Sequence, residues 1–201
     1  GPIMRAKNLL PQFYKPRYFD YEYAVSGLQF LLLGFFKKVV IADNAAKLAD
    51  TVFNTPSEFS GWSAAAGVLF FTIQIYCDFS GYSDMAVGIA RLLGFDLMQN
   101  FRTPYLSLSI RAFWQRWHIA LSTWFRDYLY IPLGGNRVVE AKRYFNLFVT
   151  FLISGLWHGA NYTFLVWGAL HSIFMIVEDF ISAHSKLKLP IFFRWLITFC
   201  L

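Results

Sequence analysis

The stretch SGLWHGANYTFLVWGALH, residues 154–171, sets a histidine, His158, in the middle of an apolar run. Imidazole has an ordinary pKa of about 6.5, close to operating pH. It therefore suits a general base or acid that moves a proton near neutral pH. An ionisable group inside a membrane-like run is costly and is a functional candidate by default. Trp157, Gly159 and Asn161 surround it: an aromatic wall, a joint and a polar side chain. Asn161 is a candidate to hydrogen-bond the ring or a substrate. The alternative is a packing histidine that bonds a backbone carbonyl, since polar residues also glue membrane helices together.

A second histidine, His118, lies in RAFWQRWHIALSTWFRDYLYIPLGGNR, residues 111–137. At helical spacing Trp114, His118, Leu121 and Phe125 share one stripe, with Phe113, Trp117 and Trp124 beside it. Arg111, Gln115, Arg116 and Ser122 fall largely elsewhere. The pattern predicts a basic amphipathic helix in or near the cytoplasmic interface, with His118 on its apolar face. A satisfied interfacial histidine is the plainer reading. Arg111 and Arg116 either orient the protein or hold an anionic cytosolic donor bearing phosphates. Pro132, Gly134 and Gly135 then enforce a turn.

The elements that position these residues are membrane helices. The chain is 57% hydrophobic and only 15% charged, against about 25% charged in an ordinary soluble domain. Its net charge of +6 flanks apolar segments instead of forming a nucleic-acid surface, so no nucleic-acid partner is expected and the lipid bilayer is. The two cysteines, Cys77 and Cys200, sit in apolar runs and make neither a metal-ligand spacing nor a disulfide framework. No internal repeat or phosphate-cradling glycine loop is present.

Four apolar segments are expected, at residues 23–42, 62–77, 144–157 and 162–181. Lys37 and Lys38 interrupt the first. The second runs into Asp78, Asp84 and Arg91 among small residues, where Gly81, Gly88 and Gly94 would permit close helix approach. Residues 43–61 read as a weakly acidic outer loop. Residues 101–143 read as a basic cytoplasmic connection, and residues 183–189, with Lys186 and Lys188, as cytoplasmic too. The third segment advances only about 20 Å into a core about 30 Å thick. His158 is thus expected within the membrane at the end of a broken helix, where irregular backbone must be buried in protein or line a cavity. The beginning GPIMR and the short apolar end PIFFRWLITFCL lead us to expect an internal fragment: one domain, residues 1–201, without the first and last transmembrane helices.

At these residues the sequence resembles the membrane-bound O-acyltransferases, in particular the bacterial alginate O-acetylation branch. The motifs are GPIMR, PQF at residues 11–13, QIYCDFSGYSDMAVGIARLLGF at 74–95, FRTPYLSLSIRAFWQRWHIALSTWFRDYLYIPLGGNR at 101–137 and SGLWHGANYTFLVWGALHS at 154–172. The resemblance covers nearly the whole chain. It implies an all-α, multi-pass transmembrane bundle with interfacial and broken helices and a tunnel narrowing at a histidine. It makes His158 the expected catalytic residue and His118 a second functional histidine, with Arg111, Arg116, Trp117 and Asn161 as substrate-binding candidates.

The resemblance further implies a bacterial inner-membrane O-acetyltransferase. Acetyl-CoA would be the cytosolic donor, with no bound cofactor and no metal, and an extracytoplasmic polysaccharide such as alginate would be the final acceptor. A separate extracytoplasmic acetyltransferase is the expected partner. A sister branch that transfers D-alanine to teichoic acid shares both histidines, but IPLGGNR fits the acetyl branch better. A proton-relay transporter using Asp78 and Asp84, or a scaffold of an export complex, is the competing reading.

Overall fold

The computed structural model describes residues 2–185 and 189–201. Lys186 and Lys188, read above as cytoplasmic charge, lie outside the described residues, as does Gly1 of GPIMR. The described residues are helical without strands. They fall into two compact units, Gly1–Asn100 and Phe101–Leu201.

The first unit begins with the short α1 (Ala6–Tyr14). Asp20 caps α2 (Tyr21–Phe35) by accepting the Tyr23 N–H at 3.0 Å. A π-helical stretch, Phe36–Ala42, carries α2 directly into α3 (Asp43–Asn54), so that one helix runs from Tyr21 to Asn54. The expected outer loop at residues 43–61 is therefore mostly helix. Its apolar positions Ala45 and Ala49 are buried, and only the short stretch after Asn54 turns. Tertiary burial of a small-residue face has overridden the local acidic signal.

α4 (Trp62–Leu92) extends the expected segment 62–77 by fifteen residues. The extension follows from close packing. A Cβ on Gly81 would come 2.8 Å from the Gly34 carbonyl oxygen, and one on Gly88 would come 2.6 Å from that of Gly27. The paired glycines run in opposite order, so the two helices are antiparallel. Lys37 pairs with Asp84 at 2.7 Å, and Lys38 with Asp78 at 2.5 Å and Asp43 at 2.9 Å. Gly94 departs from expectation. It ends α4 with φ +76°, and the Phe95 N–H reaches the Ala90 carbonyl at 2.8 Å, the signature of a glycine helix stop.

The second unit carries α5 (Ile110–Trp114), α6 (Ile119–Phe125), a π-helical turn at Arg126–Tyr130, α7 (Glu140–His158), α8 (Tyr162–His184) and α9 (Ile191–Cys200). α7 and α8 form an antiparallel hairpin. Gly155 leaves room for the Phe164 carbonyl and Gly168 for that of Phe151. Buried Asn146 on α7 donates to the Leu133 carbonyl at 3.0 Å, tying the glycine turn after α6 to the hairpin.

Among the described residues three helices are long and apolar enough to cross a membrane: Tyr21–Asn54, Trp62–Leu92 and Tyr162–His184. α7 is not among them; Glu140, Lys142 and Arg143 occupy its first turn.

Candidate active site

The single amphipathic helix expected over residues 111–137 is broken at His118. Its backbone is left-handed, with φ +44° and ψ +56°, and it separates α5 from α6. Such a conformation is uncommon outside glycine, although histidine is enriched among the exceptions. The surroundings hold it. The Arg102 N–H donates to the Arg116 carbonyl at 3.0 Å just before the break. After it, the Ser122 N–H donates to the His118 carbonyl at 3.0 Å, and the Ser122 hydroxyl to the Trp117 carbonyl at 3.2 Å. His118 is buried, as are Leu121 and Phe125. Of the apolar stripe read from spacing, His118, Leu121 and Phe125 are buried and Trp114 is half-buried, but on a segment broken at His118 and not on one straight helix.

α7 delivers the other histidine. His158 is its last residue, followed by Gly159 and the N-cap of α8. The break expected around His158 is where the hairpin turns. The Trp157 and His158 rings lie 5.2 Å apart, and Trp167 of α8 lies 5.3 Å from His158, edge-on in both cases.

His118 and His158 line the same cavity, about 470 Å³ in volume, within the range of about 300–1,000 Å³ usual for small-molecule sites. Trp114, Trp117 and Phe151 give it aromatic walls, while Ser122 and Ser154 add hydroxyls. Among the described residues the Trp114 indole N–H is buried without an acceptor, so this wall carries one spare donor. Burial lowers the His118 pKa from 6.5 to about 4, and the neighbouring His158 pushes it the same way. A neutral imidazole is the form that accepts a proton. His158 is more open: it is exposed at the cavity, where a substrate can reach it.

The other residues singled out from sequence divide. Trp117 lines the cavity and stacks on Phe113, with centroids 5.5 Å apart. Arg111 lines it too, but its guanidinium is held by Asp179 at 2.5 Å. Arg116 does not line it. Asn161 does not bond the His158 ring: its side-chain oxygen accepts the Thr163 N–H at 3.2 Å and caps α8. An asparagine just before a helix has this local use, and the cap takes the acceptor that the ring would need.

Sequence reasoning passed over three residues on α8. His171 packs against Trp114 at 5.1 Å and Trp167 at 4.8 Å. Glu178 accepts the N–H groups of Ile110 and Arg111, at 3.0 and 3.1 Å. Asp179 joins Arg111 to Arg143 of α7, the second contact at 3.1 Å. Two adjacent carboxylates in an otherwise apolar helix were the available signal. Among the described residues no cluster of histidine, cysteine or acidic groups has the arrangement of a metal site.

The membrane-bound O-acyltransferase family profile matches residues 1–200. The chain is 47% identical over its whole length to the probable alginate O-acetylase AlgI of Pseudomonas aeruginosa, covering 38% of that protein. It is 46% identical over 99% of its length to the peptidoglycan O-acetyltransferase of Helicobacter pylori, covering 39% of it. To the teichoic acid D-alanyltransferase of Bacillus subtilis it is 28% identical over 92% of its length, covering 49% of that protein. The chain therefore spans about two fifths of the length of these two O-acetylating relatives. Matched along nearly all its residues, with apolar helices long enough to cross a bilayer, it is a membrane protein and belongs to the membrane-bound O-acyltransferase family.

Proposed function

We propose that the protein is an O-acetyltransferase of the bacterial inner membrane. It takes an acetyl group from cytosolic acetyl-CoA and passes it on for O-acetylation of an extracytoplasmic polysaccharide, with a separate extracytoplasmic acetyltransferase as partner. The observation that carries the reading is the shared cavity of His118 and His158, which sequence places forty residues apart. His158 takes the proton of the accepting hydroxyl. The freed oxygen attacks the thioester carbonyl, the carbon–sulfur bond breaks, and the thiolate leaves with the proton from the imidazolium. His118, kept neutral by its burial, shapes the wall beside His158 and avoids a second positive charge next to it.

Arg111 and Arg116 are the proposed contacts for the anionic part of the donor. Asp179 offsets the charge of Arg111, so its pull on a phosphate is moderated. Support for acetyl over D-alanyl transfer comes from the higher identity to the two O-acetylating relatives. A proton relay through Asp78 and Asp84 loses support, because both carboxylates are already paired with lysines.

The test is acetyl transfer from labelled acetyl-CoA by the intact protein in membranes, carrying His158→Ala. A positioned base contributes about 10²–10⁴-fold, so transfer should fall at least about a hundredfold at equal protein abundance. Near-normal transfer would return His158 to helix packing.

A further inference from the structure

We infer that Glu178 is a positioning residue: from α8 it fixes the start of α5 and thereby the place of His118 in the cavity. The inference rests on the acyl-transfer reading for its kinetic consequence, but its geometry stands apart from it.

α5 has five residues, too few for a helix to hold itself in place. Its position must come from tertiary bonds. The first free N–H groups of a helix need acceptors, and a nearby side chain usually supplies one. Ser109 does so here, accepting the Ala112 N–H at 3.0 Å. Glu178 supplies the rest from a distant point in the chain, one carboxylate oxygen for Ile110 N–H and the other for Arg111 N–H. Both oxygens are used, so the carboxylate fixes rotation as well as distance. A carboxylate at the positive end of a helix is also favoured electrostatically.

His118 follows α5 by four residues and holds a left-handed backbone. A costly conformation of that kind persists only where the surroundings over-determine it. The bonds at Arg116 and Ser122 fix the break itself; Glu178 fixes the helix that leads into it. Next to Glu178, Asp179 holds Arg143 at the base of α7, the helix that ends in His158. Adjacent carboxylates on one helix therefore anchor the helix that leads to His118 and the helix that ends in His158. Asp179 does so through charge and Glu178 through backbone hydrogen bonds, and the backbone anchor is the one that sets a register.

The experiment uses the intact protein in detergent and in membranes, with Glu178→Ala and Glu178→Gln. The kinetic readout is acetyl transfer with acetyl-CoA varied. The second readout, independent of activity, is the titration of the His118 ring by NMR of 13C-labelled histidine, assigned by its loss in His118→Asn. His158 on α7 is the titrating group that faces His118, so its resonance is followed in the same spectra. Small misplacements in a reacting site cost up to about a hundredfold, and loosening α5 moves both the wall at His118 and the donor contact at Arg111, so Glu178→Ala should lower kcat/KM for acetyl-CoA by about tenfold to a hundredfold. The His118 midpoint should rise towards its ordinary value as the ring is solvated. Glu178→Gln keeps one acceptor oxygen and should lie between Glu178→Ala and the unmodified protein on both readouts. A His118 titration unmoved in a folded Glu178→Gln or Glu178→Ala variant overturns the inference, as does a fall in stability without a loss of kcat/KM per folded molecule. If the unmodified protein transfers no acetyl group, the acyl-transfer reading fails, and the titration still decides the role of Glu178.

Discussion

The Trp157 indole packs edge-on to both His118 and His158, with ring centroids 6.3 Å and 5.2 Å away. Two imidazoles so close in an apolar wall cannot both carry charge cheaply. Burial resolves the conflict by making His118 the ring that stays neutral. Burial lowers the His158 pKa as well, although this ring sits at the more open position. In the proposed mechanism the division of labour between the histidines follows from their surroundings, since the two side chains are chemically the same.

His118 does two separable things: it supplies a ring and it occupies a left-handed backbone position. His118→Gly keeps the backbone and removes the ring. His118→Ala removes the ring and adds a penalty of about 1–2 kcal/mol for the left-handed conformation. The glycine variant should unfold at a higher temperature than the alanine variant, while both lose acetyl transfer. Thermal unfolding in detergent beside an acetyl-transfer assay separates the effects. Full activity in His118→Gly would make the residue a backbone device with no role for the imidazole.

Gly155 sets how closely α7 meets α8, and His158 lies three residues beyond it. A methyl group there would strike the Phe164 carbonyl, which as backbone cannot swing aside. Overpacking of this kind costs about 1–3 kcal/mol. Gly155→Ala should lower the unfolding temperature and also displace His158, reducing transfer beyond what lost protein explains. Measuring activity per folded molecule checks the second part. Unchanged specific activity would mean that the helix end adjusts independently of its contact with α8.

Much of this arrangement was legible in residue types. The apolar segments, the break at His158 and the burial of His118, Leu121 and Phe125 all follow from local pattern, because each reflects which side of a short segment avoids water. The left-handed turn at His118 was not legible, because no glycine or proline marks it and distant hydrogen bonds impose it. Glu178 was hidden for the same reason: its partners are N–H groups, which any residue except proline provides. Asn161 lies in sequence beside the His158 ring, but the Thr163 N–H, an orphan donor at the start of α8, is the stronger claimant for its side chain. The helix over residues 43–54 was missed because its charged residues outweighed Ala45 and Ala49, whose burial depends on α4.

The orientation of the chain follows from where its charge collects. Arg102, Arg111, Arg116, Arg126, Arg137, Lys142 and Arg143 crowd residues 101–143, opposed by Asp127 and Glu140. The turn after Asn54 carries Glu58 and no lysine or arginine. Positive connections remain on the cytoplasmic side, so Arg137 should face the cytosol and Ser57 the outside. At about 1.5 Å per residue, the helices Tyr21–Asn54 and Trp62–Leu92 are each longer than a core of about 30 Å, so their ends project beyond it and Ser57 should be within reach of water. Ser57→Cys and Arg137→Cys, each with Cys200→Ser to remove the exposed native thiol, can be labelled in intact cells with a membrane-impermeant reagent. Label should reach Ser57→Cys directly and Arg137→Cys only after permeabilisation. The opposite pattern would put the basic connection outside. Acetyl-CoA would then have to reach the histidine cavity from the other face, and the proposed donor contacts at Arg111 and Arg116 would fall with it.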